Sequence, residues 1–116
     1  MKNRERIRER FMRDPLATRL AGLAADLSRV ASSARSATGS AATMAMLEES
    51  QYFIEWTAAE APPEMGEELV NLQIMLALWR RAWPEAQHSQ IQRALLSVQS
   101  KHWSDQILQV AYPPVE

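Results

Sequence analysis

The stretch MGEELVNLQIMLALWRRAW (residues 65–83) decides the fold. Met65, Leu69, Leu72, Leu76, Trp79 and Trp83 alternate spacings of four and three, the period that keeps one side of a helix dry. Val70, Ile74, Met75 and Leu78 are expected to broaden that buried face. Glu64, Glu67 and Glu68 lie toward its start and Arg80 and Arg81 toward its end, the polarity a helix dipole favours. Pro62-Pro63 closes whatever precedes, because proline lacks the N–H and crowds the preceding turn. The same pair opens this helix, and Trp83-Pro84 is expected to break it.

The same period recurs on both sides. Upstream, Leu16, Leu20, Leu23, Leu27, Val30 and Ala34 repeat the four-three pattern. Ala17, Ala21, Ala24 and Ala31 edge that stripe, and side chains this short let a neighbouring helix approach closely. Asp14-Pro15 predicts its start, with Asp14 as N-cap and Pro15 at the first helical position. Ser36 to Ser40 is small, polar and glycine-containing and predicts a connection. A helix with Met44, Leu47, Ile54 and Ala58 on its stripe follows, widened by Phe53 and Trp56. Downstream, Ser89 and Gln92 have the Ser-x-x-Gln form of a capping box before a helix carrying Ile91, Leu95, Val98, Trp103, Ile107 and Val110. These segments predict an all-α, antiparallel up-and-down four-helix bundle over residues 14–112. It is flanked by a basic extension over 1–13 and a short tail over 113–116. A three-helix core completed by a partner chain would use the same stripes.

The chain has 116 residues, 47% of them hydrophobic, and no cysteine. That length supports one compact domain. The composition excludes disulfides, thiolate metal sites and cysteine nucleophiles. The net charge of −1 hides an asymmetry: residues 1–35 hold nine basic and four acidic residues, residues 36–116 four basic and ten acidic. No apolar run of about 20 residues predicts a membrane span, and the opening residues lack a signal-peptide core. A cytoplasmic protein is expected.

Candidate chemistry is sparse. Glu85-Ala86-Gln87-His88 has the Glu-x-x-His spacing of di-metal bundles, but such a centre needs two of these motifs and two more carboxylates. A solvated connection is therefore expected, with no metal or cofactor. Glu48, Glu49, Glu55 and Glu60 read as an acidic face opposite Arg19, Arg29 and Arg35 rather than as an acid/base set. No Gly-rich phosphate loop, Gly-x-Ser-x-Gly elbow or His-Glu-x-x-His pair is present, and no catalytic residue is assigned. Of the four tryptophans, Trp79 and Trp83 sit on the core stripe. Trp83, Trp103 and Tyr112 become partner anchors if any is exposed where the last two helices meet. In the extension, Lys2, Arg4, Arg6, Arg8, Arg10 and Arg13 alternate with Glu5 and Glu9, and Ile7 and Phe11 would make a short apolar edge on a helix. Such an arm would suit RNA, an anionic membrane surface or an acidic protein. The plainer expectation is a frayed terminus, one that translation from Met12 would omit.

The runs Glu49 to Thr57, Leu69 to Trp83 and His102-Trp103-Ser104 resemble a group of small helical proteins from cyanobacteria, over about residues 16–111. The resemblance implies a cytoplasmic cyanobacterial protein and assigns no catalytic residue. From the residues themselves, the expected function is a non-enzymatic protein–protein interaction or assembly module, with a protein partner or self-association. The alternative is nucleic-acid or anionic membrane-surface binding through the basic arm.

Overall fold

The computed structural model describes residues 3–113. Its elements are α1 (Arg4–Met12), α2 (Leu16–Ala34), a single 3₁₀ turn (Ala37–Gly39), α3 (Ser40–Ala58), α4 (Pro63–Ala86) and α5 (Gln90–Ala111). Helices α2 to α5 run up and down in sequence, and α1 is a separate basic helix that precedes this core. Among the described residues no helix is long and apolar enough to cross a membrane. The core is built from Leu20, Leu23, Leu27 and Val30 of α2, Leu47 and Ile54 of α3, Leu69, Leu76 and Trp83 of α4, and Leu96 and Ile107 of α5.

Two helix boundaries differ from the sequence expectation by local chemistry. Helix α2 begins at Leu16, with Pro15 in the cap position, and no side chain caps it. Asp14 contributes its backbone carbonyl instead, which accepts from Arg19 Nε at 3.1 Å. Pro84 does not break α4, which continues to Ala86. A proline this close to the C-terminal end forfeits a single hydrogen bond, and the Gln87 side chain donates to the Pro84 carbonyl at 3.1 Å. The Ser89 cap forms as expected, its Oγ accepting from the Gln92 N–H at 3.2 Å. At the α2–α3 connection, a Cβ on Gly39 would overlap the Ser33 carbonyl, so only glycine fits that close approach.

The tightest packing is between α2 and α5, and it is made of small residues. Ser97, Ser100 and Ser104 are buried and donate to the carbonyls of Ala31, Leu27 and Ala24 at 2.7, 2.6 and 2.7 Å. Each step forward on α5 is a step back on α2, which fixes the antiparallel register. The carbonyls keep a second lone pair for these hydroxyls. The alanine edge of α2 supplies the close approach expected of it, but its partner face is serine rather than apolar. Ser100→Leu is expected to destabilise the protein by about 1–3 kcal/mol through overpacking. Ser100→Ala, which only removes a hydrogen bond, should cost about 0.5–1.5 kcal/mol. Urea denaturation followed by circular dichroism ranks the two.

Helix α4 packs on α3, while α4 and α5, though joined by residues 87–89 alone, touch at few places. The molecule measures 40 × 39 × 19 Å along its principal axes. It is therefore only about two helix diameters thick.

Candidate interaction surface

Turning α5 so that its serines face α2 keeps Leu96 and Ile107 in the core but turns three other aliphatic residues outward. Ile91, Leu95 and Val98 are 79%, 44% and 70% exposed; expected in the core, they lie on the opposite side of the helix. Helix α4 has the same double character. Its stripe from Leu69 to Trp83 is buried as expected, but Val70, Ile74 and Leu78 are 52%, 55% and 55% exposed and Met75 is also exposed. They do not broaden the buried face. The reason is angular: 100° per residue places Val70, Ile74 and Leu78 within an 80° arc opposite Leu69, Leu72, Leu76 and Trp83. Between the two helices a shallow cleft of about 250 Å³ is lined by Leu72, Met75, Trp103 and Ile107 with Glu68, Asn71 and Gln106 at its edges. A second hollow is lined by Met75, Leu78, Trp79, Ala82, Gln92 and Gln99. Trp79 crosses beneath, its Nε1 donating to Gln99 Oε1 at 2.9 Å.

The three aromatic anchor candidates separate. Trp83 is only 1% exposed and is a core residue, not an anchor; its Nε1 donates to the Ser40 carbonyl at 3.2 Å and lies 3.1 Å from Ser40 Oγ. That hydroxyl in turn donates to Gln87 Oε1, tying the start of α3 to the end of α4. Trp103 is half-buried in the wall of the α4–α5 cleft, and Tyr112 is exposed.

The basic extension forms a helix docked on α3. Phe11 is buried and stacks on Phe53, ring centroids 4.2 Å apart and planes 14° from parallel, with Trp56 at 5.8 Å. Arg4 sits over the Tyr52 ring at 4.1 Å and pairs with Glu48 at 3.6 Å. Ile7 stays partly exposed. Residues 4–12 are therefore an ordered part of the structure rather than a frayed terminus. Arg6, Arg8, Arg10 and Arg13 are exposed, whereas Lys2 lies outside the described residues. The helical period puts Arg6, Arg10 and Arg13 on one side, with Glu9 beside them.

The acidic residues of α3 and of the turn that follows it disperse. Glu48 lies between Arg4 and Arg80, Glu60 pairs with Arg19, and Glu55 is exposed. Glu49 faces Asp26, a residue that sequence reasoning missed. Asp26 is 1% exposed; its Oδ1 accepts from Arg29 Nη1 at 3.0 Å. Its Oδ2 is buried with no donor. Burial, and next the Glu49 carboxylate, push the Asp26 carboxyl up to about 8, against which Arg29 pulls only partly. The two carboxyl groups can bond to each other only when one carries a proton. Glu85 and His88 are both exposed. Among the described residues no three His, Asp or Glu side chains gather as a metal-binding group. Comparisons with family models, curated proteins and solved structures returned no match to this chain.

Proposed function

We propose that this chain is a non-enzymatic protein–protein interaction or assembly module whose working surface is the outward side of α4 and α5. The observation that carries the reading is the second apolar stripe on each helix: Val70, Ile74 and Leu78 on α4, and Ile91, Leu95 and Val98 on α5. A helix at a protein surface needs one apolar face for its core, and a second has no use in an isolated molecule. Fully burying a Val, Leu or Ile is worth about 1.5–3 kcal/mol. Roughly half the surface of these side chains is still available, so each offers on the order of 1 kcal/mol to a partner.

The test substitutes the exposed positions only. Ile91→Glu with Val98→Glu, and Val70→Glu with Ile74→Glu, are expected to leave unfolding midpoints nearly unchanged, since surface changes usually stay within about 0.5 kcal/mol. Light scattering, native mass spectrometry and proximity labelling in the native cell should register lost association. A wild-type protein that is monomeric at every concentration, with labelled neighbours that none of these variants changes, would sink the reading.

A second reading rests on α1, whose fixed helix holds Arg6, Arg10 and Arg13 together on its solvent side. A polyanion, RNA or an anionic membrane surface would meet a preformed basic edge there. Deleting the helix would also strip Phe11 from the core, so the informative variant is Arg6→Gln with Arg10→Gln and Arg13→Gln. Unchanged binding to RNA and anionic vesicles at low salt would exclude it.

A further inference from the structure

The outward stripe of α4 is symmetric in its spacing about one residue and carries opposite charges at its two ends. Taking Ile74 as the centre, Val70 and Leu78 stand four residues to either side, and Glu67 and Arg81 seven to either side. All five are exposed, and all fall within one 80° arc of the helix. Read backwards, the row keeps its spacing and its three aliphatic residues, with Val70 and Leu78 exchanging places and the charges at its ends reversed. A helix of this pattern is complementary to an antiparallel copy of itself. Ile74 then meets Ile74 on a two-fold axis, Val70 meets Leu78 twice, and Glu67 meets Arg81 twice.

We propose that the chain forms a two-fold symmetric homodimer through antiparallel pairing of α4 about Ile74. This rests on the interaction reading above and names its partner as a second copy. An isologous interface must be self-complementary in shape and charge, and this row satisfies both. Antiparallel pairing also aligns the two helix dipoles favourably. The exposed stripe of α5 does not offer the same match. Leu95 is near the centre of Ile91, Leu95 and Val98, but the charges beyond that stripe are Lys101 and Asp105, which already pair with each other at 3.0 Å. The α4 row spans 14 residue steps, about 21 Å of helix at 1.5 Å each. A contact of one helix pair lies at the small end of specific interfaces, so association in the micromolar range is expected rather than tighter.

The charge pattern supplies the decisive experiment. Glu67→Arg places two like-charge pairs in its own homodimer, and so does Arg81→Glu. Each single variant is expected to dimerise roughly tenfold more weakly than wild type by sedimentation equilibrium. An equimolar mixture of the two restores both opposite-charge pairs and should give a heterodimer, which native mass spectrometry resolves. The double variant should recover wild-type affinity. Because the chain has no cysteine, Ile74→Cys adds an independent readout: mild oxidation should give a covalent dimer, and Ile91→Cys under the same conditions should not. All these positions are exposed, and matched circular dichroism checks that each variant is folded. A monomeric wild-type protein overturns the dimer; the separate labelling test then decides whether α4 and α5 bind something else. A dimer lost in Ile91→Glu with Val98→Glu but retained in Ile74→Glu overturns the α4 assignment and leaves the interaction reading standing. A dimer that ignores both charge reversals, and mixes without preference, overturns the antiparallel register.

Discussion

Trp83→Ala is expected to lower the unfolding free energy by about 3–5 kcal/mol, a large share of the roughly 5–15 kcal/mol that holds a domain of this kind together. The indole is 1% exposed and joins the end of α4 to the start of α3 through the Ser40 carbonyl. Removing it opens a cavity at the place where the chain turns from α4 into α5. It also leaves Ser40 Oγ without the Trp83 N–H, although that hydroxyl keeps Gln87. Trp83→Phe retains most of the packing and loses the hydrogen bond, and should cost less than half as much. Tyr112→Ala, at a 58% exposed position, should leave stability nearly unchanged. Urea denaturation of the three variants checks this order. Equal losses for Trp83 and Tyr112 would contradict the placement of Trp83 in the core.

The contrast shows what was legible in the sequence. The stripes of α2 and α4 are leucine and tryptophan at the helical period, and burial follows such a pattern directly. Helix α5 misleads because its core face is Leu96, Ser97, Ser100, Ser104 and Ile107. Serine is ordinarily a surface residue, and its place here depends on carbonyls that only α2 can offer. The clue lay on the other helix: Ala24 and Ala31 indicated a close neighbour, without saying which. Once those serines are assigned inward, Ile91, Leu95 and Val98 must point out, so the interaction surface and the serine seam follow from one rotation of one helix. On α4 the pattern marks two faces, and an expectation that broadens the first cannot see the second. The docking of α1 was half visible, since Ile7 and Phe11 share an edge. The stacking partner Phe53 is more than forty residues away, and no local spacing points to it. Asp26 was hidden for the same reason: its environment is made by Glu49 across a helix pair.

That pair gives the second large effect, a stability that falls as pH rises. In the unfolded chain Asp26 has its ordinary value of 3.8, while in the folded protein burial and Glu49 raise it to about 8. Below pH 4 both states carry the proton and Asp26 adds no pH dependence. Between about 4 and 8 the folded state binds a proton that the unfolded state has lost, so unfolding releases it and stability declines steadily through this window. Above 8 the proton is gone from both, and the fold retains an ionised carboxylate beside Glu49 with Arg29 as its counterion. Four pH units at 1.36 kcal/mol each set a ceiling of about 6 kcal/mol, and relaxation around the half-exposed Glu49 brings the expected effect down to about 2–4 kcal/mol. Asp26→Asn separates this from every other titration. The amide has nearly the same shape, its oxygen can still accept from Arg29, and its NH₂ donates permanently to Glu49. The variant should therefore be more stable than wild type at pH 8 by about 2–4 kcal/mol, with the difference shrinking as pH falls toward 5. Glu49→Gln should recover part of the gain by removing the second-largest cause while burial remains. Urea titrations of the three proteins at pH 5, 6.5 and 8 measure the slopes. Parallel curves for wild type and Asp26→Asn would show that Asp26 ionises normally in the fold, and an Asp26→Asn protein less stable at pH 8 would reverse the sign of the argument.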